Sequence, residues 1–235
     1  MNNTTTIKHG LAPVRHMRIK DPGSSITHFI GLVMAVFGAA PIIRRAATTQ
    51  DPLHVISITN FIVSMILLYA ASTIYHTYDI SKDANIILKK IDHCMIFVLI
   101  AGSYTPICLL TLNGKTGLMM FVAVWTIALL GIIFKLCWVT CPKWISSVLY
   151  IGMGWICVFA FAKIYHSLPT AAFLWLLTGG IIYTIGGIIY ALKLPIFNNL
   201  HKNFGSHEIF HLFVMGGSIC HYIMMYQFVS ILPVS

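Results

Sequence analysis

Charge is what this sequence has least of. Asp, Glu, Lys and Arg together make up 9% of its 235 residues, while apolar residues make up 58%. A soluble chain carries about 25% charged and about 45–50% apolar residues. So few charges cannot cover the surface of a soluble protein of this size, and the mean hydropathy of +0.85 points the same way. Soluble enzymes, nucleic-acid binders and disordered tails are excluded. Acidic residues are scarcer still, with Asp and Glu totalling six. The six cysteines (Cys94, Cys108, Cys137, Cys141, Cys157 and Cys220) lie in or beside apolar runs, without the spacing of a disulfide framework, and read as membrane-buried thiols. The first 24 residues hold no apolar h-region, so no cleavable signal peptide is expected.

What is present in abundance is long apolar runs. A hydrocarbon core about 30 Å thick needs about 20 apolar helical residues. Seven runs qualify: 26–43, 53–78, 91–112, 118–136, 144–165, 171–192 and 207–232. The expected fold is therefore all-α, a seven-transmembrane helix bundle in one domain (25–235), behind a polar cytoplasmic segment (1–24). Pro41, Pro52, Pro142, Pro169 and Pro195 punctuate the ends of runs, and Pro106 falls inside the third, where a kink is expected. Glycines recur in the sixth run (Gly179, Gly180, Gly186, Gly187) and the seventh (Gly216, Gly217), as helices that pack closely in membranes require.

The formal charge of +9 follows the membrane rule rather than a nucleic-acid footprint. No basic cluster is interleaved with aromatics as single-strand binding needs, so no nucleic-acid partner is expected. With the N-terminus inside, the cytoplasmic segments hold Lys8, Arg15, Arg18, Lys20, Lys82, Lys89, Lys90, Lys135, Lys143, Lys193 and Lys202. The outer segments hold only Arg44, Arg45, Lys115 and Lys163. This asymmetry orients the chain with its N-terminus inside and, after seven spans, its C-terminus outside.

An ionisable group at membrane depth is costly and marks a functional candidate. Of the six acidic residues, Asp21, Asp51, Asp79 and Asp83 fall in loops or tails, whereas Asp92 and Glu208 sit at the starts of the third and seventh spans. His76 closes the second span, and His207 and His211 open the seventh. Residues four apart share a helix face, so His207 and His211 can hold one ion, and Ser72 lies one turn from His76 on its face. The topology brings His76, Asp92, His207 and His211 to one cytoplasmic depth. Three histidines with an open fourth position form a catalytic zinc pattern.

His207-Glu208-x-x-His211 also spells the H-E-x-x-H of zinc proteases, in which the glutamate is the base. A third ligand of that kind is missing: nothing acidic follows Glu208, and the position six beyond His211 is Gly217. Glu208 reads instead as a carboxylate suited to a helix N-terminus. Other histidines rate lower. His28, at the start of the first span, could support the ligands; His93 points about 100° away from Asp92; and His221 lies about 21 Å further along the helix than His207.

Several motifs carry a family likeness in combination. They are Asp21-Pro22-Gly23-Ser24 with Thr27-His28, Ser72-x-x-x-His76-Thr77, Lys89-Lys90-Ile91-Asp92-His93-Cys94, Ala101-Gly102-Ser103-Tyr104-Thr105-Pro106, and His207-x-x-x-His211 with Gly216-Gly217-Ser218-Ile219-Cys220-His221. Over nearly its whole length the chain resembles the hemolysin III family, the bacterial branch of the progestin and adipoQ receptors that include the adiponectin receptors. The resemblance implies seven helices with the N-terminus inside, zinc held by His76, His207 and His211, Asp92 near the zinc's water, and Ser72 as the serine of the first motif. Through the wider superfamily, with the alkaline ceramidases, it implies hydrolysis of lipid amides. The family is also associated with cytolysis and, in some bacterial members, with membrane-lipid homeostasis.

Three functions are then in view. One is a zinc-dependent hydrolase of a membrane lipid or lipid amide in a bacterial inner membrane, with Asp92 as base and Ser72 orienting water or binding the oxyanion. A second is a pore-forming cytolysin, against which stand seven spans of the chain's own and no recognisable export signal. A third is a sensor of membrane state with a structural zinc. The ligands alone do not separate the first from the third.

Overall fold

The structure, a computed structural model, describes residues 19–192 and 204–233. Lys8, Arg15, Arg18, Lys193 and Lys202, all used above for the orientation, lie outside the described residues, as does Pro195. Among the described residues the regular elements are helical, and seven stretches are long and apolar enough to cross a membrane. They are α1 (Pro22–Ala47), α2 (Pro52–Thr77), α3 (Lys82–Pro106, continued by a π-helical turn, Ile107–Leu112) and α4 (Gly114–Cys137). The fifth span is built in pieces, α5 (Lys143–Gly154), a 3₁₀ turn (Trp155–Ala160) and α6 (Phe161–Ser167). Next come α7 (Thr170–Leu192) and α8 (Ser206–Gln227), the latter followed by a 3₁₀ turn (Val229–Ile231).

Local chemistry sets the helix starts. Pro22 and Pro52 occupy first-turn positions, where the missing N–H costs nothing. Asp51 Oδ1 accepts from Leu53 N at 2.9 Å, and Ser81 Oγ accepts from Ala84 N at 3.2 Å. The Ser81 cap, with Asp83 in the first turn, starts α3 at Lys82. That is nine residues before the apolar run at Ile91, so Lys89 and Lys90 ride on the helix rather than on a loop. At its far end, Pro106 lacks an N–H and crowds the preceding turn, and the ladder widens into the π-helical turn. Asn113 (φ 38°) and Gly114 (φ 51°) then reverse the chain into α4.

The 3₁₀ interruption of the fifth span leaves backbone groups that lipid could not satisfy. Tyr104 supplies partners, its hydroxyl donating to Gly154 O at 2.6 Å and accepting from Cys157 N at 2.9 Å. Trp155 Nε1 donates to Thr184 Oγ1 on α7 at 2.9 Å.

The helices close into a ring in which α1 packs on α2 and α8, α2 on α3, α3 on α4, and α7 on both α5 and α8. The core includes Ile42, Phe61, Ile62, Leu68, Tyr69 and Met224. Large apolar side chains also face outward, as a lipid solvent allows: Phe37 is 76% exposed and Phe159 90%. The glycines of α7 and α8 serve close packing at particular positions. A Cβ at Gly186 would crowd Phe213 and one at Gly217 would crowd Tyr183, whereas Gly180 has open space. Lys135 is counted above with the cytoplasmic segments. It is fully buried near the end of α4, donating to Ser146 Oγ at 2.6 Å and Cys141 Sγ at 3.1 Å.

Candidate metal centre

Antiparallel succession places the end of α2 beside the starts of α3 and α8, and that juxtaposition builds the site. His76, from the last turn of α2, meets His207 and His211, from the first two turns of α8. One ring nitrogen from each lies within 4.8 Å of the others. His76 Nε2 and His207 Nε2 are 3.2 Å apart. Nitrogens bound to one tetrahedral zinc at about 2.0–2.1 Å would be separated by about 3.3 Å. The donor set and its spacing therefore fit a zinc ion, and these three residues could hold one.

The neighbours select which nitrogen is available. Asp21 Oδ2 accepts from His76 Nδ1 at 2.9 Å, leaving Nε2 bare for a metal. Thr27 Oγ1 donates to the carbonyls of Gly23 and Ser24, so it accepts from His211 Nδ1 at 3.2 Å and again leaves Nε2 bare. Asp21 is held by more than its side chain, since its N–H donates to His76 O at 2.9 Å and Lys20 N to Thr77 O at 3.1 Å. The hydrogen bond from His76 is the largest influence on the Asp21 carboxyl and lowers its pKa, overcoming the opposing effect of burial. His28 stacks on His211, ring centroids 3.5 Å apart and 11° from parallel, with neither of its nitrogens hydrogen-bonded.

Glu208 does not face the three histidines' shared centre as a free base. Its Oε1 accepts from Ser24 Oγ at 2.5 Å and its Oε2 from Gly205 N at 2.8 Å, which fastens the start of α8 to α1. This is the helix-terminal use expected from the sequence.

Beside the histidines opens a cavity with about 1500 Å³ of empty space, its mouth included. Ser72, Asp92, His207 and His211 all line it; His76 does not, and joins the group through its contacts with His207 and His211. Asp92 is 7% exposed, and His93 Nδ1 lies 3.5 Å from its Oδ2. Ser72 Oγ is buried without a hydrogen-bond partner. Away from this polar end the walls are apolar, with Leu68, Leu99, Phe161, Leu176 and Val214 among them. His221 lines the same cavity but not the three-nitrogen cluster.

Thus the five site residues expected from sequence converge, three as a metal-competent cluster and two on the adjoining wall. Sequence reasoning passed over Asp21 as a tail carboxylate and gave Thr27 no role. Their signal was available: an acidic residue at a helix start, and a threonine six residues on in the same helix. His93 lies nearer to Asp92 than the helical angle suggests: its Nδ1, which donates to Lys89 O at 2.9 Å, is 3.5 Å from the carboxylate.

Known proteins resemble this chain over most of its length. The family profile described as "Haemolysin-III related" matches residues 17–222. The chain is 40% identical over 195 residues to "Hemolysin-3 homolog" of Bacillus subtilis (strain 168), covering 83% of this chain and 87% of that one. It is 37% identical over 195 residues to "Hemolysin-3" of Bacillus cereus, covering 83% and 85%. More distantly, it is 23% identical over 237 residues to "Adiponectin receptor protein" of Drosophila melanogaster, covering 86% of this chain and 49% of the relative.

Proposed function

The chain belongs to the haemolysin III-related family of integral membrane proteins, and from that premise we propose that it is a zinc-dependent hydrolase of a membrane lipid or lipid amide. The observation that carries this reading is the join of two features: a three-histidine cluster and a buried carboxylate at one end of a long apolar cavity. A structural metal site has no need of either the cavity or the buried carboxylate. On this reading the protein sits in the inner membrane of a bacterium, N-terminus inside, and acts in membrane-lipid homeostasis.

Zinc, when bound by His76, His207 and His211, would supply a Lewis acid for the substrate carbonyl and a water of lowered pKa. The chain's own groups do the rest. The apolar walls hold the acyl chain and bring the carbonyl to the polar end. Asp92 accepts the proton of the attacking water and passes it to the departing amine as the C–N bond breaks. Ser72 Oγ, with no protein partner, donates to the carbonyl oxygen as its negative charge grows. Asp21 and Thr27 keep two imidazoles in the tautomer that leaves Nε2 bare.

The test is product analysis. Purified protein in detergent is incubated with N-acyl amides, and released fatty acid is quantified for the wild type and for Asp92→Asn. Release that falls by about 10²–10⁴ in the variant, with zinc retained, supports the reading. Zinc-loaded wild type that releases no fatty acid from any lipid amide or ester would favour a sensor with a structural metal.

A further inference from the structure

On α5, residues 147, 150, 151 and 154 all line the cavity, the i, i+3, i+4, i+7 pattern of one helix face. Val148, on another face, is 61% exposed. Ser147 is the hydroxyl on the inward stripe's first turn. It is 3% exposed, and its Oγ is buried without a hydrogen-bond partner. Its neighbour Ser146 is the contrast: equally buried, but bonded to Lys135 Nζ at 2.6 Å. That bond ties Ser146 to a lysine wholly inside the protein, while Ser147 lines the cavity.

The start of α5 is linked to the metal-competent cluster through Tyr190. Lys143 Nζ sits 4.3 Å from the centre of the Tyr190 ring, and that ring packs against His207 with centroids 5.6 Å apart. One turn on, Tyr150 donates its hydroxyl to His93 O at 3.2 Å, the residue beside Asp92. Ser147 and Ser72 thus line one cavity from two different helices, each with a buried hydroxyl that has no hydrogen-bond partner, and Asp92 lines it from a third. A buried hydroxyl left unmade is expensive, and two in one cavity wall describe a place for a polar ligand group. Ser72 suits the carbonyl oxygen. The other polar atom of a lipid amide is its N–H, which needs an acceptor.

We propose that Ser147 is a substrate-binding residue whose Oγ accepts the amide N–H, so that the site selects lipid amides over esters of the same chain; this rests on the lipid-cavity reading above. An ester offers an oxygen where the amide offers a donor, and a site built to bond a donor discriminates against the analogue that lacks it.

The test uses two ligands that differ only there, N-oleoylethanolamine and ethylene glycol mono-oleate. Binding is measured on zinc-loaded, full-length protein in detergent carrying Asp92→Asn, so that neither ligand is consumed. We expect the amide to bind about five- to tenfold more tightly than the ester. Adding Ser147→Ala should bring the ratio close to one by weakening the amide alone, and Ser147→Thr, which keeps the hydroxyl, should preserve the preference. Zinc content reports folding; if Ser147→Ala loses zinc, Ser147→Cys, similar in size but a poor acceptor, makes the same comparison. Equal binding of both ligands before Ser147 is changed, or an amide preference unmoved by its loss, overturns the role of Ser147 and leaves the cavity reading intact. If neither ligand binds, the lipid cavity itself is refuted and the proposal falls with it.

Discussion

Removing the Asp21 carboxylate should weaken zinc binding without touching a ligand. In Asp21→Ala the His76 Nδ1–H loses its acceptor at 2.9 Å, and the ring is freed to rotate or to adopt the tautomer that puts its proton on Nε2. Losing such a partner costs about 10–100-fold in metal affinity, equivalent to about 1.4–2.7 kcal/mol. The Asp21 side chain is 44% exposed, so water screens its charge, and the loss should fall at the lower end, about tenfold. The helix itself should survive. The Asp21 side chain makes no capping bond to α1, while its N–H and C=O bonds to His76 O and Ser25 N are backbone and remain in the alanine variant. Asp21→Asn, which still offers an oxygen to Nδ1, should lie between. The assay is competition for zinc between the detergent-solubilised protein and a chromophoric chelator, run beside His211→Ala, which should lose most of its zinc. An Asp21→Ala protein that binds zinc as tightly as the wild type refutes the argument that this carboxylate orients the ligand. One as empty as His211→Ala refutes the assignment of ligands, because Asp21 would then be bonded to the ion.

Further outcomes follow from packing, topology and charge. Gly217→Ala should destabilise the protein by about 1–3 kcal/mol, because the new Cβ would stand 2.7 Å from the Tyr183 ring. Gly180→Ala, placed in open space on α7, should be neutral or stabilising by up to about 1 kcal/mol; paired thermal unfolding in one detergent checks the contrast. A reporter fused after Ser235 should be active only outside the cytoplasm, and cytoplasmic activity would reverse the orientation drawn from the Lys and Arg count. Lysis of red cells by purified protein, if measurable, should be indifferent to Asp92→Asn while fatty-acid release is not. Wild type that lyses at low concentration without releasing lipid product, and an Asp92→Asn form that does the same, would instead favour the cytolysin.

The parts of this molecule that could be read from sequence are those set by periodicity and by the cost of burying charge. Seven apolar runs gave seven spans because lipid leaves a backbone little choice but helix. Asp92, His76, His207 and His211 stood out because polar groups at that depth are rare, and the alternation of helices put them on one level without knowledge of any contact. Span beginnings were less legible, since hydropathy sees where the apolar run begins at Ile91 and not the Ser81 cap that starts the helix. The break in the fifth span was not legible at all. Its sequence, Trp155 to Ala160, is as apolar as a continuous helix, and what permits the 3₁₀ turn is Tyr104, about fifty residues earlier, answering two backbone groups at once. The same limit hid Asp21 and Ser147. Each matters through its partners: Asp21 because an imidazole bonds it, Ser147 because no hydrogen-bond partner does. Local sequence states that a residue is polar and roughly how deep it lies; only the packed ring of helices decides whether that polarity is spent inside the protein or held open for a ligand. Where Lys135 takes Ser146 and leaves Ser147, the two outcomes sit side by side on adjacent residues of identical type.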